Sequence, residues 1–250
     1  MNTFPEITPL LQSLRLSGML ASIDVRNRQA VTDQLPPLEF LKLLLTDEVA
    51  KREQMKMARR LRRAAFHSTK TVEQFNFQAV PNLNKNLINE LLTCRFIKGE
   101  YSPVLIAGPT GTGKSHLAQS IGHQAVRLGF DVFFTTQAQL VASMVRSRLS
   151  GVYAKRMKML KKVDLFILDD FGLKPIKSPQ DEDIHEIIAD RYEKGALIVT
   201  SNLAFEEWHQ AFADNKLLGA ATIDRMLHGA YQLVLDGESY RRPRDASSQK

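Results

Sequence analysis

Up to residue 66 the apolar positions of the chain recur at helical spacing, and from residue 103 onward short apolar runs of strand length alternate with helical stretches. In the first part Leu10, Leu14, Met19 and Ile23 predict one or two short helices broken near Gly18, a unit that Pro36-Pro37 ends. From Leu38 a single long helix is predicted, with Leu41, Leu44, Leu45, Val49, Met55, Ala58, Leu61 and Ala65 as its apolar stripe. Residues 67–102 read as a linker followed by a helix over 84–96.

The later part predicts strands over 103–107 (PVLIA), 130–135 (FDVFFT), 163–171 (VDLFILDDF), 196–200 (ALIVT) and 231–236. Between them lie helical patterns over 116–128, 137–149, 152–162, 181–194, 204–214 and 216–228. Strands alternating with helices argue an α/β fold, a doubly wound parallel sheet, preceded by a small all-α N-terminal domain. The boundaries that follow are 1–66 for the helical domain, 67–102 for the linker and lead-in helix, 103–238 for the α/β domain, and 239–250 for a basic, disordered tail.

At 250 residues and 44% hydrophobic, the chain is long enough to bury a full core. It holds no apolar run of membrane-spanning length and no signal-peptide pattern at its start, so no membrane partner and a cytoplasmic location are expected. Cys94, the single cysteine, has no metal-ligand spacing around it and reads as a packed thiol. The net charge of +7 matters for its placement: residues 51–70 carry eight Lys or Arg against Glu53 alone. Arg52, Lys56, Arg59, Arg60 and Arg63 fall on one helical face with few acids to balance them, which favours a phosphate backbone over a merely solvated surface. A second, weaker basic face is formed by Lys155, Lys158 and Lys162.

Candidate chemistry enters between the first predicted strand and the helix after it. Gly108, Pro109, Thr110, Gly111, Thr112, Gly113, Lys114 and Ser115 fit G-x-x-x-x-G-K-[ST] at every fixed position, with His116 next. Such glycines let backbone amides converge on phosphates, the helix dipole adds to the attraction, Lys114 reaches the β- and γ-phosphates of ATP, and the Ser115 hydroxyl holds Mg²⁺. The strand ending in Asp169-Asp170 supplies the second element of an ATP site, with Asp169 as metal-binding acid and Asp170 orienting or deprotonating the attacking water. Asn202 follows the fourth strand and reads either as a group facing the same crevice or as a turn residue. For Phe75 and Phe77 core packing is expected, with a place beside the adenine as the other reading.

The P-loop GPTGTGKS, the strand LFILDDFG, the strand tip VTSNL and the late IDRMLHGAYQLVLDGESYR together resemble the AAA+ ATPases of the DnaC clade. With the N-terminal LRLSGML, KREQMKMARRLRRAAF and FNF, they resemble most closely the IstB-type helpers of bacterial insertion-sequence transposition. The resemblance implies an ATPase that oligomerises on duplex DNA, bridged by ATP, and delivers that DNA to a transposase. It gives Asn202 the role of γ-phosphate sensor and Arg225 that of an arginine finger supplied to a neighbouring subunit, with Arg191 as a lesser candidate. Two departures from the pattern stand out: Asp170 replaces a common glutamate, which implies slow hydrolysis, and few residues follow the last strand, so no helical lid is expected and Arg241 and Arg242 are given no role at the nucleotide. The alternative functions are a DnaC-like replicative helicase loader and, from another class, a P-loop kinase of a small molecule.

Overall fold

The computed structural model describes residues 5–212, 214–237 and 239, and the chain divides into two units, Met1–Arg59 and Arg60–Lys250. The first unit holds α1 (Ile7–Ser13), α2 (Ser17–Thr32) and most of α3 (Pro37–Ala64). The break that the pattern placed near Gly18 falls earlier, at Leu14 to Leu16, where Arg15 takes a positive φ of 57°. Gly18 lies inside α2 for another reason. Its Cα faces α3 so closely that an added Cβ would stand 2.6 Å from the Glu48 Cα. This approach lets the buried Glu48 carboxylate accept from the amides of Gly18 at 2.6 Å and Met19 at 3.2 Å, satisfying donors that the first turn of a helix leaves unpaired. Arg26 adds a two-pronged pair to Asp47, with both nitrogen–oxygen distances 2.8 Å.

The apolar stripe expected on α3 is corrected by these contacts. Leu44 is buried, whereas Leu41, Leu45, Val49 and Met55 are 46–61% exposed, and Ala58 and Ala65 also face solvent. The helix can turn only one face to α2, and the pairs from Gly18 to Glu48 and from Arg26 to Asp47 select the face carrying Leu44 and Glu48.

The second unit is organised by five parallel strands, β1 (Val104–Ala107), β2 (Val132–Thr136), β3 (Leu165–Phe171), β4 (Ala196–Ser201) and β5 (Tyr231–Val234), in the order β2-β3-β4-β1-β5. Alternation along each strand feeds two cores. Val104, Ile106, Leu165, Ile167 and Ile198 pack toward α5 (Lys114–Arg127) and α4 (Lys85–Leu92), where Asn84 caps the helix in place of the predicted start. Leu105, Phe166, Leu168, Leu197 and Val199 pack toward α6 (Gln137–Leu149), α7 (Tyr153–Lys162), α8 (Gln180–Arg191) and α9 (Lys216–Leu227). Helices on both faces of a parallel sheet make the doubly wound arrangement that the sequence predicted. The stretch predicted as a helix over 204–214 is a 3-10 segment, Phe205–Ala211, anchored by the fully buried Trp208. Cys94 is buried, and burial pushes its thiol up to about 11, so it is a packed and unreactive group at neutral pH. Among the described residues no helix is long and apolar enough to cross a membrane.

Candidate nucleotide-binding site

The loop between β1 and α5 takes its shape from positive φ at Gly108, Gly111 and Gly113. At Gly108 a Cβ would collide with the Leu235 carbonyl oxygen and at Gly111 with Ser239, so the backbone beyond β5 runs against the loop and only glycine fits. The first backbone bond of α5 runs from the Leu117 amide to the Gly113 carbonyl at 2.9 Å, which leaves the preceding turn's amides directed out of the helix end. Lys114 is 5% exposed, and its ammonium donates to the carbonyls of Gly108 and Pro109, both at 2.7 Å. Thr112 is buried with its hydroxyl on the Pro109 carbonyl, so it stiffens the loop instead of facing a ligand.

A cavity of about 600 Å³ opens at this helix end. Thr110, Gly111, Gly113, Lys114, Ser115 and His116 line it from the loop, and Asp170 and Asn202 from the carboxyl ends of β3 and β4. Elements distant in sequence therefore converge where an open α/β sheet binds ligands. Asp169 does not line the cavity: it is buried, and its carboxylate accepts the Thr200 hydroxyl. A serine hydroxyl and a buried carboxylate are the hard oxygen donors that suit Mg²⁺, so Ser115 and Asp169 fit that ion.

The opposite wall comes from the linker, through Lys70, Gln74, Phe75 and Asn76. Phe75 is both packed and at the site: it meets Phe77 edge-on at 4.9 Å and the His116 ring at 5.4 Å. The linker is held there by one stripe of α5, as His116 Nε2 lies 3.0 Å from the Thr71 carbonyl, Ser120 bonds the Lys70 carbonyl and Arg127 bonds Glu73 at 2.9 Å. The i, i+4, i+11 spacing of those three side chains was a signal available in the sequence.

Arg225 is not brought to the cavity of its own chain. It sits in the last turn of α9, donates to the Ala221 carbonyl at 2.9 Å, and borders a separate hollow with Glu100, Pro103, Tyr192 and His228. Those residues lead into β1, β4 and β5, at the amino-terminal ends of the strands, whereas the P-loop follows the carboxyl end of β1. Arg191 is excluded from any role at a subunit surface. It is 2% exposed, and its guanidinium donates to the carbonyls of Leu160 at 3.2 Å, Val163 at 2.9 Å and Asp164 at 3.1 Å. Burial pushes it down to about 10.

The two basic faces differ from their expected rank. On the first unit Arg52 pairs with Glu48 and Lys56 with Glu53, both at 2.6 Å. In the second unit Arg60 and Arg63 each lie 3.6 Å from Asp131. Acidic partners that looked absent are thus supplied by the same helix and by a residue far along the chain. Lys155, Lys158 and Lys162 are exposed on α7, with no ion pair among the described residues. Arg241, Arg242 and the predicted basic tail lie outside the described residues, apart from Ser239.

A parallel sheet in this order, with a P-loop after β1, an acidic pair ending β3 and a polar tip on β4, defines an ATP-binding protein of the AAA+ class. In fold the chain is similar to replication initiator DnaA bound to AMPPCP and single-stranded DNA, with a TM-score of 0.58 and 23% identity over 70% of this chain and 52% of that one. It is also similar to the DnaC helicase loader, with a TM-score of 0.51 and 23% identity over 61% and 92%. The family model for IstB-like ATP binding proteins matches residues 9–248, and the chain belongs to that family. An insertion-sequence ATP-binding protein of Mycobacterium tuberculosis (strain ATCC 25618 / H37Rv) is 35% identical over 95% of this chain and 94% of its own length.

Proposed function

We propose that the protein is an ATPase that assembles on duplex DNA, uses ATP at its subunit contacts, and delivers the DNA to a transposase as an insertion target. One observation carries this reading: Lys114, Ser115, Asp170 and Asn202 share a cavity at the carboxyl ends of the strands while Arg225 borders a hollow at their amino ends, so Arg225 can serve a nucleotide only in another copy. Membership of the insertion-sequence family across both units supports the transposition setting over that of a helicase loader. A small-molecule kinase would need no arginine from a second chain.

In this mechanism the loop amides and Lys114 bind the phosphates, with the ammonium leaving the Gly108 and Pro109 carbonyls for phosphate oxygens. Ser115 and Asp169 would hold Mg²⁺, which would screen phosphate charge. Asp170 orients the attacking water and accepts its proton, and Asn202 reads the γ-phosphate. Phe75 and the linker close the base side and exclude water. Arg225 of a neighbouring copy stabilises charge on the transferring group, an effect worth about 10³ to 10⁵ in rate. Lys155, Lys158 and Lys162, with Arg52, Lys56, Arg59, Arg60 and Arg63, contact DNA phosphates and give little sequence preference.

Light scattering with and without long duplex, in ATP, in ADP and in neither, tests assembly. Large complexes are expected with ATP and duplex together. Arg225→Ala and Lys114→Ala, each inactive alone, are expected to regain hydrolysis when mixed, because one supplies an intact P-loop and the other an intact finger. A monomer under all conditions, or no recovery on mixing, overturns the shared-site reading. Tighter binding of single strands than of duplex would point to the loader instead.

A further inference from the structure

The pairing of β3 with β4 breaks where the acidic pair sits. Leu168 pairs with Val199 and Phe171 with Ser201, so Asp169 and Asp170 together oppose the single residue Thr200. This is a bulge, which leaves one residue outside the ladder and turns its side chain. Asp170 is that residue by its dihedral angle, with a positive φ of 56°, while Asp169 stays in register with Thr136 of β2. In a regular strand two consecutive carboxylates would face opposite sides of the sheet. At the bulge Asp170 lines the cavity, while the carboxylate that precedes it is buried next to Thr200.

Thr200 is fully buried, and its hydroxyl uses both capacities at this break. It accepts from the Asp170 amide at 3.1 Å, in place of the lost ladder bond, and donates to the Asp169 carboxylate. One hydroxyl therefore fixes the backbone that aims Asp170 and the orientation of Asp169. Valine has nearly the same shape but would remove the hydroxyl partner of the Asp170 amide and of the buried Asp169 carboxylate. A β-branched residue in a central strand is ordinary, so the hydroxyl, not the shape, is the unexplained choice.

The geometry points to Thr200 as a positioning residue for ATP hydrolysis, one that holds the metal-binding carboxylate and the water-activating carboxylate in a single arrangement. This rests on the proposed ATP and Mg²⁺ reading of the site. Partners one step removed from a metal typically change affinity or activity by about 10- to 100-fold when lost.

The test is equilibrium binding of a fluorescent ATP analogue to the full chain, titrated with Mg²⁺. Thr200→Val, or Thr200→Ala should valine not fold, is expected to bind metal-free nucleotide within about twofold of wild type, yet to need about 10- to 100-fold more Mg²⁺ for the metal-dependent gain. Thr200→Ser keeps the hydroxyl and is expected to restore the wild-type titration. Adding Thr200→Val to Asp169→Asn is expected to change the metal response little further, since Thr200 acts through that carboxylate. A Thr200→Val titration like wild type, or full additivity with Asp169→Asn, overturns the positioning role alone. Wild-type binding that ignores Mg²⁺ overturns the metal reading and this inference with it.

Discussion

Replacing Arg191 with alanine separates a structural arginine from a catalytic one. Its guanidinium bonds the Leu160 carbonyl in the last turn of α7 and the Val163 carbonyl just past it, where helical bonding has ended. Stranding two buried acceptors at about 1–3 kcal/mol each gives a loss of about 2–6 kcal/mol. Part of this is offset because a buried cation is removed, and burial already opposes its charge. A net loss of about 3 kcal/mol corresponds to a melting point about 6–12 °C lower for a unit of this size. Arg191→Met keeps an apolar stem but removes the guanidinium, which stands 5.9 Å from the Phe166 ring centroid, and so isolates the polar part. Urea and thermal unfolding provide the assay, with hydrolysis measured below the lowered transition. Wild-type stability combined with lost hydrolysis, recovered on mixing with Lys114→Ala, would refute the buried-latch argument and return Arg191 to the subunit surface.

Neutralising about six phosphates per protomer predicts a log–log salt slope of duplex binding near −5, and Lys155→Ala, Lys158→Ala and Lys162→Ala together are expected to reduce it by about 3. A mobility-shift titration whose slope is unmoved by the triple change removes α7 from the DNA surface. The Asp47 carboxyl is held down to about 2 from 3.8, first by its bonds to Arg26 and then by the Ser22 hydroxyl. Because its folded value is the lower one, its contribution is complete above pH 3.8 and is lost as pH falls toward 2. Helical signal in acid titration is expected to decline earlier in wild type than its neutral stability suggests, and Arg26→Met is expected to flatten that decline. An unchanged profile in Arg26→Met would show that the pair contributes nothing.

The alternation of short apolar runs with helical stretches determined the α/β class, and the spacing from Gly108 to Ser115 determined the phosphate loop. Both are local: strand and helix periods are written in neighbouring residues, and the loop's chemistry needs eight consecutive positions. For Asn202 the sequence left two readings open, a group facing the crevice or a turn residue, and only the fold places it on the cavity wall with Asp170, while Asp169 does not line that wall. The face that α3 buries was decided by tertiary structure, because its apolar residues exceed what one neighbouring helix can cover and Gly18 selects among them. Arg191 and Arg225 carry the same charge and end similar helices, and only packing tells them apart, one held on backbone carbonyls and the other bordering a hollow at the amino ends of the strands. The linker wall with Phe75, and the Thr200 hydroxyl opposite the bulge, required the register of strands that the chain brings together from far apart. Register is a long-range property: a single residue of slip in β3 would send Asp170 to the other side of the sheet without changing one letter of the sequence.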